Sequence, residues 1–124
     1  ILALITKGER VEGKTICAVD MINFDFGKSS IKPESHAYLD KIVALITRTN
    51  IKMEIKGHTD NVGNEDFNMK LSKDRAKAVY DYLVGHGVKK SSLSYSYYGM
   101  TRPLDTNETE EGRKMNRRVE FEIK

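Results

Sequence analysis

The residues of this chain best suited to chemistry are Asp60, in Gly57-His58-Thr59-Asp60-Asn61-Val62-Gly63, and Arg75, in Asn68-Met69-Lys70-Leu71-Ser72-Lys73-Asp74-Arg75-Ala76. Asp60 falls in a glycine-bounded loop after a strand pattern, and Arg75 falls in the helix that follows. Leu71, Arg75, Val79 and Leu83 recur at helical spacing, so the guanidinium lies within an apolar stripe. A guanidinium withdrawn from water needs a carboxylate or phosphate. A carboxylate and a guanidinium held on separate elements make a two-point clamp for an anionic or zwitterionic ligand, and arginine's planar fork suits a carboxylate better than lysine would. The bland reading is a structural ion pair, Asp60 with Arg75 or Arg75 with Asp25. Spacing alone leaves the two readings level.

Other constellations are weaker. His58 beside Asp60 suggests a metal site or an acid–base pair, but zinc needs three or four ligands, and His36 and His86 sit in unrelated helical contexts. A Ser72-His58-Asp60 triad lacks a nucleophile elbow or oxyanion-hole motif around Ser72. His58 is read as ordering the loop through hydrogen bonds, and no enzyme activity or cofactor is expected. Arg113, Lys114, Arg117 and Arg118 form a basic cluster with tyrosines upstream, a patch that nucleic acid could use. Glu108, Glu110, Glu111, Glu120 and Glu122 dilute it, so Arg117 and Arg118 read as structural or solvated, with at most a secondary contact to an anionic polymer. Cys17 is the only cysteine, which excludes an internal disulfide and a thiolate metal site.

These groups must be positioned by 124 residues, enough for one domain with a real core. The chain is 39% hydrophobic and 31% charged with a net charge of +3, too small to demand nucleic acid. No window approaches the ~18 apolar residues of a membrane span. It opens Ile1-Leu2-Ala3-Leu4-Ile5, without Met or signal-peptide architecture, and reads as cut from a longer precursor.

Strand and helix patterns alternate. Ile22, Phe24 and Phe26 alternate with polar residues up to Gly27; Ile51, Met53 and Ile55 do so up to Gly57; Leu93, Tyr95, Tyr97 and then Val119, Phe121, Ile123 follow suit. Pro33 suits the first turn of a helix whose apolar face is Leu39, Ile42, Val43 and Ile46. Asn64 is an N-cap for a second helix, with Glu65 and Asp66 in its first turn and Gly85 or Gly87 at its end. Residues 109–115 can form a short helical turn. Strands polar at every second residue bury one face only, which predicts a two-layer α/β (α+β) sandwich with a mixed sheet and helices on one face. Residues 1–20 are expected to be an extension or linker that can add an edge strand or hairpin through Ile16, Ala18 and Leu4, and 21–124 the domain proper.

Several ordered blocks resemble the OmpA-like peptidoglycan-binding domain: Phe24-Asp25-Phe26-Gly27-Lys28-Ser29, the two segments around Asp60 and Arg75, Gly99 with Arg102-Pro103, and Glu110-Glu111-Gly112-Arg113-Lys114-Met115-Asn116-Arg117-Arg118-Val119-Glu120. The similarity runs from about Ile22 to Lys124. It implies a βαβαββ fold and a non-catalytic tether between envelope structures and the cell wall. It further implies that Asp60 accepts the ammonium, and Arg75 grips the carboxylate, of the zwitterionic end of a diaminopimelate in the peptide stem. Asn68 matches the family's helix asparagine, and Thr59 and the backbone from Asp25 to Gly27 resemble further pocket positions. By the same resemblance the chain is expected in the periplasm, attached to the outer membrane through a part not present here, with a second copy or other envelope proteins as further partners. Tyr97-Tyr98-Gly99 stands where many members have Gly-Tyr-Gly.

Overall fold

The computed structural model describes residues 15–19, 22, 24, 29–49 and 51–124. Strands β1 (Thr15–Val19), β2 (Met53–His58), β3 (Leu93–Tyr97) and β4 (Arg118–Ile123) form one sheet in the order β1-β4-β2-β3. Helices α1 (His36–Thr49), α2 (Glu65–Gly85) and the short α3 (Glu110–Asn116) connect them. β2 and β3 run parallel, which requires the crossover that α2 supplies. β4 is antiparallel to both β1 and β2, so the sheet is mixed.

Alternation sets which face is buried. Met53↔Ile123 and Ile55↔Phe121 are in register, and all four side chains are almost fully buried. Each contributes about 1.5–3 kcal/mol on leaving water. Leu39, Ile42, Leu45 and Ile46 of α1 and Ala76, Val79 and Leu83 of α2 complete this core. Tyr80 and Tyr82 lie half-buried against it. The opposite sheet face carries charges, with Lys56 bonded to Glu122 at 2.7 Å and Lys124 paired with Glu54 at 2.9 Å.

Pro33 opens a 3-10 turn that runs into α1, as its fixed φ favours. The side chain of Asn64 caps α2, accepting from the Phe67 amide at 2.6 Å. At the other end Gly87 takes φ 103° and turns the chain away, settling which glycine ends the helix. A Cβ on Gly57 would collide with the Ser72 carbonyl, so α2 rests directly on the end of β2.

The strand expected at residues 22–26 is corrected in its described part. Ile22 sits in a bend, and Phe24 makes only an isolated bridge to Ile31. The edge beside β4 is occupied by β1 instead, N-terminal to the boundary placed at residue 21. Leu4, Phe26, and Asp25 and Gly27 of the expected pocket, lie outside the described residues.

Candidate functional site

The buried stripe of α2 changes character along its length. Its C-terminal half presents Val79 and Leu83 to the core, while its N-terminal half buries Asn68, Ser72 and Arg75. Polar side chains buried in series need partners, and the loops around the C-terminal end of β2 provide them. Ser72 Oγ donates to the Met69 carbonyl at 2.8 Å and accepts from the Gly99 amide at 2.9 Å. Its hydroxyl is thus committed to structure, with no geometry for a nucleophile. Asn68 Nδ2 donates to the Val62 carbonyl at 3.0 Å, tying the Asp60 loop to the helix.

The loop is fixed at several further points. Thr59 donates its amide to the Gly99 carbonyl at 2.8 Å and its hydroxyl to the Asp60 carbonyl at 2.9 Å. Asp60 Oδ1 accepts from the Val62 amide at 3.0 Å, which turns the loop back on itself. The other oxygen, Oδ2, accepts from Arg117 Nη1 at 2.7 Å. Arg117 also donates Nη2 to Glu110 Oε1 at 2.7 Å, bridging a buried carboxylate and an exposed one.

A cavity of about 410 Å³ opens here, lined by Asp60, Arg75, Arg117, Arg118, Lys114, Glu110, His58, Val62, Ile22, Phe24 and Val119. A smaller one of about 40 Å³, bordered by Thr59, Val62, Phe67, Asn68 and Leu71, shares Asp60, Arg75 and Arg117 with it. Asp60 and Arg75, the two residues singled out from spacing, therefore face one chamber, at 6% and 9% exposure. Asn68 and Thr59 border the smaller cavity, with Asn68 Nδ2 and the Thr59 hydroxyl engaged in holding the loop.

The two guanidiniums differ electrostatically. Burial lowers Arg75 to about 10; the Asp60 charge opposes that shift and the Arg117 charge adds to it. Arg75 remains a cation and stacks on the Phe24 ring, 4.8 Å from its centroid. For Arg117 burial also lowers the value, but its bonds to Glu110 and Asp60 outweigh burial and raise it overall. Glu110 is held below the usual carboxylate range, chiefly by Arg117. The reading of Arg117 as structural or solvated gains a location, since its ion pair with Asp60 lies in the cavity wall. Its partner lies 57 residues away in the chain. The only signal in the sequence was its place in the Asn116-Arg117-Arg118 block.

The rest of that block builds the wall. Asn116, fully buried, accepts from the Leu104 and Asp105 amides and donates to the Asp105 carbonyl and Asn107 Oδ1. Arg118 reaches Glu120 at 2.6 Å and the carbonyls of Asn116 and Arg102. His58 and Arg118 hold the Glu120 carboxyl down at about 2. The expectation that His58 orders the loop through hydrogen bonds is corrected. Its ring nitrogens are buried without a hydrogen-bond partner among the described residues, Glu120 standing 3.6 Å away. The imidazole instead stacks on Tyr98 at 5.2 Å.

The comparisons agree with this fold. The chain belongs to the OmpA family, whose model matches residues 23–117. Outer membrane protein A of Bordetella avium is 42% identical over 101 residues, 81% of this chain and 52% of that protein. A peptidoglycan-associated lipoprotein of Pseudomonas aeruginosa is 36% identical over 104 residues, 84% of this chain and 62% of that protein. Among solved structures, a MotB-like protein of Desulfovibrio vulgaris superposes with a TM-score of 0.81 at 28% identity, over 89% of this chain and 72% of the other. The chain spans about half the length of the Bordetella protein. No helix among the described residues is long and apolar enough to cross a membrane.

Proposed function

We propose that this domain binds peptidoglycan without catalysis, through the diaminopimelate residue of the peptide stem, and so anchors a larger envelope protein to the cell wall. The observation that carries the reading is the placement of Asp60 and Arg75, both nine-tenths buried, in one cavity on opposite elements. An ammonium on Asp60 and a carboxylate on Arg75 would match a zwitterion end to end. Burial lowers Arg75, and an anionic ligand would relieve that penalty. The relative named peptidoglycan-associated lipoprotein supports the same ligand class. The setting is the periplasm, with attachment to the outer membrane supplied by another part of the protein.

A lysine-containing stem lacks the second carboxylate and would forgo that contact with Arg75, at a cost of ~2–5 kcal/mol for a buried charge pair. Affinity at one site is modest, and many copies facing one polymer add avidity. The test is a calorimetric or NMR titration with diaminopimelate and lysine stem peptides, using wild type, Asp60→Ala and Arg75→Ala, each checked for folding by circular dichroism. Binding that vanishes in both folded variants and weakens for the lysine stem is expected. Unchanged binding in the variants would move the site, and no binding by wild type would turn the reading toward an envelope protein–protein module.

A further inference from the structure

In this structure the anionic half of the clamp is already occupied. Arg117 donates to Asp60 Oδ2 at 2.7 Å, while Asp60 Oδ1 is used by the loop amide of Val62. A ligand ammonium must therefore share or take the place of Arg117. The guanidinium has somewhere to remain, because its Nη2 is on Glu110 Oε1 at 2.7 Å. Glu110 is itself steadied, although its side chain is 63% exposed. Its Oε2 accepts from Arg113 Nε at 3.2 Å, and Arg113 is pinned to the Asn107 carbonyl at 2.9 Å. The result is a chain of alternating charges, Arg113–Glu110–Arg117–Asp60, running from the surface of α3 into the cavity.

We propose, resting on the peptidoglycan reading above, that Arg117 gates Asp60 and that Glu110 is the post on which the gate turns. On binding, the ligand ammonium takes Arg117's place at Asp60 Oδ2. The released Nη1 closes on the ligand carboxylate beside Arg75, while Nη2 stays on Glu110. Every charge has a partner before and after this exchange, so none is left buried alone, the state that costs most. The exchange is complete only for a ligand that brings an ammonium and a carboxylate together. A simple amine would strand Nη1, and a simple carboxylate would find Arg117 already engaged. Glu110 acts through Arg117 and is a positioning residue.

The experiment compares meso-diaminopimelate with pimelate, which lacks the ammoniums, and cadaverine, which lacks the carboxylates. Each is titrated by NMR into wild type, Arg117→Gln, Glu110→Gln and the double variant. In wild type, pimelate and cadaverine should bind at least about tenfold more weakly than diaminopimelate, the loss of one charge-assisted contact. Arg117→Gln should weaken diaminopimelate yet strengthen cadaverine, because Asp60 is uncapped. Glu110→Gln should weaken diaminopimelate several-fold in wild type and change nothing in the Arg117→Gln background. Weakening of both ligands by Arg117→Gln, or a full additive effect of Glu110→Gln on top of it, would overturn the gate. Should Arg117→Gln not fold, Glu110→Gln still decides. It leaves the Asp60–Arg117 bond in place, and equal effects on diaminopimelate and cadaverine would refute the post. If wild type ignores diaminopimelate while Arg117→Gln takes up cadaverine better than wild type does, the gate stands and the peptidoglycan reading falls.

Discussion

Arg75 makes two contacts that favour arginine over lysine at its position. Its planar guanidinium lies over the Phe24 ring and faces the chamber, two roles that the compact ammonium of lysine fills poorly. Arg75→Lys should fold, yet bind a diaminopimelate stem about 10–100-fold more weakly, the worth of one charge-assisted fork at ~1–3 kcal/mol; equal affinity in a calorimetric titration would show that only charge matters. Asn68 ties the loop to the helix through its Nδ2. Replacing it with alanine strands the Val62 carbonyl, so chemical denaturation should report a loss of ~1–3 kcal/mol. Sequence patterning located Asp60 and Arg75 because a charge inside an apolar stripe is conspicuous locally. It could not reveal Arg117 on Asp60, since nothing in a linear pattern encodes a bond across 57 residues. His58 was misjudged for a related reason. The end of β2 turns its ring onto Tyr98, and only the pairing of β2 with β3 brings that ring near.

The helices and strands hold these groups by contact too close for substitution. Gly57→Ala would push its methyl into the Ser72 carbonyl and lift α2 off β2, the junction that sets Arg75 against Asp60. A loss of ~1–3 kcal/mol, or more, is expected in denaturant melts, together with weaker ligand binding. Gly112 is constrained in the same way by the Thr106 carbonyl, which fastens α3 and its Glu110 to the loop before it. Strands β2, β3 and β4 were legible because their polar face reads as strict alternation. β1, Thr15-Ile16-Cys17-Ala18-Val19, carries no charge to mark its outward face and could only be suspected. The alternation at Ile22 and Phe24 is genuine but serves the cavity wall, where Phe24 meets Arg75, rather than a strand of the sheet.

Across the whole molecule, stability is tied to acid through the charged sheet face. Glu120 is lowered from 4.5 to about 2 by His58 and Arg118, so its contribution is fully present above pH 4.5 and is lost as pH falls toward about 2. Urea melts of the wild type should weaken over that interval, by on the order of 1 kcal/mol from this group once solvent screening is discounted. Glu120→Gln should be less stable at pH 7 and show a shallower decline; an unchanged slope would place the acid sensitivity on other carboxylates. The sheet order β1-β4-β2-β3 sets a different kind of limit. The strand nearest the end of the sequence is not at a margin but between β1 and β2, and it contributes Phe121 and Ile123 to the core. Without residues 118–123, β1 has no strand to pair with among the described residues, and the core lacks Val119, Phe121 and Ile123. A chain cut before Arg118 is therefore expected to stay open, with a circular dichroism spectrum lacking cooperative melting.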